Sequence, residues 1–172
     1  MNCCAIDSSF PESTLELGQT RSSVEESDQV AQRCKNCKAQ GRPVSRKTVL
    51  LMLKPDLSEQ ALMGTYRFCA ATVCPVVYFE EHGTGVFTKD DLRVTVGVKA
   101  RQDPIPLCYC FGFEESHIRA EISQTGKTTI AQKISTLISE GLCACEARNP
   151  SGACCLGDVN RATKRLLEKS LE

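Results

Sequence analysis

Twelve cysteines in a chain of 172 residues fall into six close pairs, and this spacing constrains the fold more than any other feature. The pairs are Cys3/Cys4, Cys34/Cys37, Cys69/Cys74, Cys108/Cys110, Cys143/Cys145 and Cys154/Cys155. Thiolates are soft ligands that select zinc, copper(I) or iron–sulfur clusters. Close pairs bring two sulfurs to one point of the chain, so several of these pairs can converge on metal.

The redox compartment decides between metal and disulfides. A secreted chain would open with a basic segment and an apolar stretch, and MNCCAIDSSFPESTLELGQT has neither. The longest apolar run, Val49 to Leu53, is far too short to span a bilayer. The expected location is therefore the cytoplasm, where thiols stay reduced and ordered cysteine pairs hold metal. The 21 basic and 21 acidic residues balance, which argues against a nucleic-acid surface. With no Trp and few aromatics, the chain would gain from metal staples.

Three regions are expected. Residues 1–31 are rich in Ser, Glu, Gln and Thr and read as a flexible tail. Cys3 and Cys4 lie in it, as incidental thiols or as a mobile metal-capturing pair. Residues 32–100 read as a small strand-rich unit. Thr48 to Lys54 is a short helix or strand ended by Pro55. Tyr66–Phe68 and Val76–Phe79 are β-type runs, Gly83-Thr84-Gly85 is a turn, and Arg93 to Val98 alternates like a half-exposed strand. Residues 101–107 hold two prolines and read as a linker or extended arm. The rest of 101–172 reads as helical. Ile118 and Ile122 share one helical face. Ile130, Ile134, Leu137 and Ile138 share a second, and Val159, Ala162, Leu166 and Leu167 a third. Gly126 and Gly141 are the breaks. The fold class is thus α+β, with an all-helical unit built on a helix–turn–helix after the strand-rich one.

Cys34-x-x-Cys37 and Cys69-x4-Cys74 lie about thirty residues apart and can close one tetrahedral site, each loop setting two sulfurs roughly 2.3 Å from the ion. Four thiolates leave no open position, so structural Zn2+ is the expected occupant. A thioredoxin-type motif needs a preceding strand, which is missing. A copper loop of the M-x-C-x-x-C kind needs Met where Gln32 stands. Buried free cysteines remain the alternative. Cys108-Tyr-Cys110 lies before the helical pair, and Cys143, Cys145, Cys154 and Cys155 lie after it. Antiparallel helices would bring these thiols to one end, where four of them suit a [2Fe–2S] cluster.

Other motifs carry less. Thr125-Gly126-Lys127-Thr128 resembles the end of a phosphate loop, but position 121 is Glu where the pattern needs Gly. His82 and His117 have no metal-type spacing and read as surface residues. No Ser/His/Asp or paired-carboxylate arrangement stands out, so turnover of an organic substrate is not expected.

The helical part resembles bacterioferritin-associated ferredoxins, which carry C-x-C, a gap in the low thirties, then C-x-x-C. The final C-x-x-C is missing here. YRFC-x4-C-x-VVYF (Tyr66 to Phe79), RVTVGVK, LCYCFGF (Leu107 to Phe113) and CEARNPSGACCLGDV (Cys145 to Val159) are similar to the N-terminal domain of CopZ-type metallochaperones over residues 33–160. That resemblance implies cluster ligands Cys108, Cys110, Cys145 and Cys155, and zinc ligands Cys34, Cys37, Cys69 and Cys74. It leaves Cys143 and Cys154 without a duty. It also implies copper trafficking with reduction of Cu(II) to Cu+. The partners would be metal ions and a copper-carrier protein or metal-exporting ATPase. The C-terminal copper domain of the full-length family is absent before Glu172. The other functions in view are a ferredoxin-like electron donor or redox sensor and a structural two-metal module. The Asn149-Pro150-Ser151-Gly152 turn is expected to fold over the cluster and offer backbone N–H groups to its sulfurs.

Overall fold

The computed structural model describes residues 30–170. Cys3, Cys4 and nearly all of the expected tail lie outside the described residues. From Ala31 onward the contacts make one compact unit. It has a strand-rich first part and a mainly helical second part.

The first part is an antiparallel sheet of four short strands in the order β1 (Arg42–Val44), β2 (Tyr66–Phe68), β3 (Val76–Glu80) and β4 (Val86–Thr88). Pro43 lies on the edge strand β1, where its missing N–H costs the ladder little. Between β1 and β2 runs helix α1 (Arg46–Met52). Ser45 caps it, its hydroxyl accepting the Thr48 N–H at 3.1 Å. Pro55 restricts the residue before it to extended backbone, so α1 stops at Met52 and a 3-10 helix, Pro55–Ala61, follows. The open choice between helix and strand at Thr48–Lys54 thus resolves to helix. Val49, Leu53, Tyr66, Phe68, Tyr78 and Phe87 fill the core between α1 and the sheet. Each contributes roughly 1.5–3 kcal/mol of burial.

The segment Arg93–Val98 is not the expected strand. It runs as bends into a short 3-10 turn, Gly97–Lys99. Its alternation places Val96 in the core and Val94 and Val98 against it while the backbone is bonded elsewhere. The Tyr109 hydroxyl accepts the Gly97 N–H at 2.8 Å and donates to the Thr95 carbonyl at 2.9 Å. These are the groups a sheet partner would have taken. Gly97 presses against Pro106, where an added Cβ would lie 1.9 Å from the carbonyl oxygen. Gly97→Ala is therefore expected to cost about 3 kcal/mol, read as a lower urea midpoint for the metal-loaded protein.

The second part is not all helical. It opens with a two-stranded ribbon, β5 (Pro106–Cys108) and β6 (Phe113–Glu114), so the expected linker already belongs to a strand. Helices α2 (Glu115–Thr125), α3 (Ile130–Ser139), α4 (Cys145–Arg148) and α5 (Leu156–Lys169) follow. Gly126 ends α2 in the left-handed conformation (φ 71°), which glycine adopts without strain. Both α2 and α3 pack on α5. Ile118, Ile122, Ile130, Ile134, Val159 and Ala162 form their core, and Cys108 and Cys155 belong to it.

Besides the Tyr109 bonds to Thr95 and Gly97, two more join the parts. The Thr48 hydroxyl donates to the Glu146 carbonyl at 2.7 Å, and the buried Tyr78 hydroxyl donates to the Pro150 carbonyl at 2.6 Å. Among the described residues no helix is long and apolar enough to cross a membrane.

Candidate metal centres

The sheet assembles the first centre. Pairing of Arg42 with Phe68 sets the chain just before β1 beside the chain just after β2. Cys34 and Cys37 lie before β1, and Cys69 and Cys74 lie in the β2–β3 loop. The Cys34 turn closes through Lys38, whose N–H donates to the Cys34 carbonyl at 2.8 Å and whose φ is 61°. All four sulfurs lie within 4.8 Å of one another, the only such group of ligand atoms among the described residues. The Cys34 and Cys74 sulfurs are 3.9 Å apart, and those of Cys37 and Cys69 are 3.6 Å apart.

The electrostatics suit a cation. Burial raises Cys34 and pushes Cys69 up to about 12. Burial also opposes ionisation of Cys74, but the Asn36 amide, the Val76 N–H and the Cys37 and Cys34 thiols outweigh it and lower Cys74 to about 7. Asn36 Nδ2 donates to the Cys74 sulfur at 3.2 Å. The backbone amides of Asn36 and Cys37 favour the Cys34 thiolate, and that of Ala71 favours the Cys69 thiolate. Four thiolates this close repel each other, so they ionise together only around a positive ion. Four sulfurs with N–H donors at a closed position fit tetrahedral zinc.

The second group is four thiols at the junction of β5, α4 and α5. The Cys110 and Cys145 sulfurs are 3.8 Å apart. Cys108, at the end of β5, and Cys155, at the start of α5, are buried in the same core. The Cys155 thiol favours the Cys108 thiolate and lowers Cys108 to about 6, while Cys108 and burial raise Cys155. Burial pushes Cys145 up to about 12, with Cys110 adding to it. An N–H donor again points at sulfur, Ala144 to Cys110 at 3.3 Å, and the Phe111 and Cys110 amides favour the Cys108 thiolate as the Cys155 amide favours that of Cys145. Cys108 and Cys155 are buried, Cys110, Cys143 and Cys145 partly so, and Cys154 is exposed.

The Asn149–Gly152 turn does a different job from the one expected. Its amides are used internally: the Ser151 N–H donates to Asn149 Oδ1 at 3.0 Å and the Gly152 N–H to the Asn149 carbonyl at 2.8 Å. Its Pro150 carbonyl is what docks it on Tyr78. The amide that donates to a sulfur of this group, that of Ala144, lies before the turn. Glu121, where a phosphate loop needs Gly, fills the anion position itself. Its carboxylate accepts from Lys133, the Thr128 hydroxyl and the Thr129 N–H, which together hold it down at about 2. His82 is exposed, and His117 accepts the Glu114 N–H at the start of α2.

Asn36, Lys99 and Tyr109 bear on the centres without having been singled out in the sequence. Asn36 was legible only as a spacer inside C-x-x-C. Lys99 lay hidden at the end of an apparent strand. Tyr109 is the spacer of C-x-C.

Comparison with known proteins gives three matches. A CopZ family described as a zinc binding domain matches residues 31–93. The copper chaperone CopZ of Archaeoglobus fulgidus is 36% identical over 130 residues, which is 75% of this chain and 60% of that protein. The chain therefore spans about three fifths of the length of that relative. The X-ray structure of the Archaeoglobus fulgidus CopZ N-terminal domain superposes with a TM-score of 0.61 at 33% identity, covering 75% of this chain and 95% of that one.

Proposed function

Because the chain belongs to the family of CopZ N-terminal domains, we propose that it is a copper-handling module that joins a structural zinc site to a [2Fe–2S] centre. In this reading Cys34, Cys37, Cys69 and Cys74 hold Zn2+, and Cys108, Cys110, Cys145 and Cys155 hold the cluster. The observation that carries the cluster is the gathering of four thiols at one junction, with the Cys110 and Cys145 sulfurs 3.8 Å apart and Cys108 and Cys155 buried in the same core. Two irons need two thiolates each, whereas one ion would draw all four sulfurs together as in the first group. Amide donors to these sulfurs favour the thiolate form and tune a cluster's potential. When bound, such a cluster exchanges single electrons.

Two cysteines of the group are only partly buried, which leaves a face for a redox partner. Copper is the cargo in this proposal, as in the relative whose name carries it. The partners are a separate copper carrier or a metal-exporting pump. Cys143 and Cys154, left outside the eight ligands, are the soft donors for Cu+.

Competition for Cu(I) between the anaerobically purified protein and a chromophoric chelator tests the copper part. Cu(I) retention that falls in the Cys143→Ser/Cys154→Ser double variant is expected. Retention equal in both proteins would remove these thiols from the account. Complete loss of copper to the chelator, with zinc and iron intact, would confine the function to electron transfer.

A further inference from the structure

Lys99 is 8% exposed, and among the described residues no carboxylate pairs with it. Taking an ammonium out of water costs several kcal/mol unless charge and hydrogen bonds offset it. The hydrogen bonds are present. Nζ donates to the Ala71 carbonyl at 2.8 Å and the Cys74 carbonyl at 2.9 Å. Both acceptors lie in the loop that carries Cys69 and Cys74. The opposing charge comes from the same place, because four thiolates around a divalent ion keep a net double negative charge.

The same segment reaches the second thiol group. Tyr109 stands between Cys108 and Cys110, and its hydroxyl is tied to both Thr95 and Gly97. Gly97 lies against the Pro106 carbonyl of the strand that ends in Cys108. Five consecutive residues thus touch the Cys69–Cys74 loop at one end and the Cys108–Cys110 turn at the other.

We propose that residues 95–99 are a strut joining the two cysteine centres, with Lys99 positioning and charge-matching the Cys69–Cys74 loop and Tyr109 fixing the Cys108–Cys110 turn to the same backbone. Neither side chain touches metal, so both are positioning residues. Filling one centre stiffens the strut and so favours the geometry of the other. The strut rests on the zinc reading above and does not need the cluster.

Zinc release to a chromophoric chelator tests it, for the protein as purified and for Lys99→Met, Tyr109→Phe and the double variant. Lys99→Met is expected to release zinc about tenfold faster, the size typical of groups that support metal ligands. Tyr109→Phe removes one oxygen far from the zinc thiols, yet about threefold faster release is expected if it shares a network with Lys99. The double variant should accelerate release by less than the product of the single factors. Should Lys99→Met fail to fold, Tyr109→Phe alone decides. Unchanged release in Tyr109→Phe, or single factors that multiply, would overturn the strut. Zinc-containing protein without iron would instead contradict the cluster reading, and the release factors would still decide the strut.

Discussion

Cys69→Ser is expected to unfold the strand-rich part rather than merely empty a site. The small core around these sulfurs consists of Cys34, Cys69, Cys74, Val76 and Phe79, so three of its five buried members are cysteines. Metal there does the work that hydrocarbon does elsewhere. Binding of zinc by four thiolates is worth on the order of 10–16 kcal/mol, and this is folding free energy when the unfolded chain holds no site. Whole domains are stable by only about 5–15 kcal/mol, so the loss exceeds what the Tyr66–Phe87 core can absorb. Amide NMR dispersion for residues 31–93, measured with zinc content, reads the effect. The same collapse is expected when a strong chelator strips the unmodified protein, and zinc should restore it. A Cys69→Ser protein that is zinc-free yet equally dispersed would show that the metal is dispensable to the fold.

The second large effect separates neighbouring thiols. Cys145→Ser is expected to abolish the visible iron–sulfur absorption, while Cys143→Ser keeps it. Cys155→Ser should abolish it and Cys154→Ser should not. The reason is placement: the Cys145 sulfur lies 3.8 Å from that of Cys110, and Cys155 is buried in the same core as Cys108 while Cys154 is exposed. Serine keeps the shape but offers a hard oxygen in place of a soft sulfur, so cluster retention reads ligation rather than packing. Loss of absorption in Cys143→Ser alone would shift the ligand set by two residues and leave Cys145 as packing.

What the sequence made legible follows from how local each signal is. C-x-x-C and C-x4-C state their loop lengths outright, so the gathering of Cys34, Cys37, Cys69 and Cys74 could be anticipated before the sheet that performs it. The isoleucines at 118, 122, 130 and 134 mark helix faces because each face recurs within a few residues. Strands β1, β4, β5 and β6 have two or three residues each, too few for any period, and only their partners define them. Arg93–Val98 had the period of a strand but no strand beside it. A tyrosine hydroxyl and a close approach at Gly97 took over its backbone bonds, and neither leaves a mark in the pattern. The Asn149–Gly152 turn was legible as a turn, but its dock is Tyr78, seventy-two residues away in sequence. No local pattern encodes a bond of that span. Lys99 was missed for the same reason, since its role depends on carbonyls supplied by a distant loop.

In the function proposed above, this fold holds two different sulfur-bound centres, one closed around zinc and one built for single-electron exchange. The most direct measurement is anaerobic purification with metal analysis, followed by EPR before and after reduction. The account predicts about two irons and one zinc per chain, a thiolate-to-iron band in the visible, and an EPR signal that appears only on reduction. Colourless protein with zinc in both cysteine groups, or with its cysteines paired as disulfides, would contradict it.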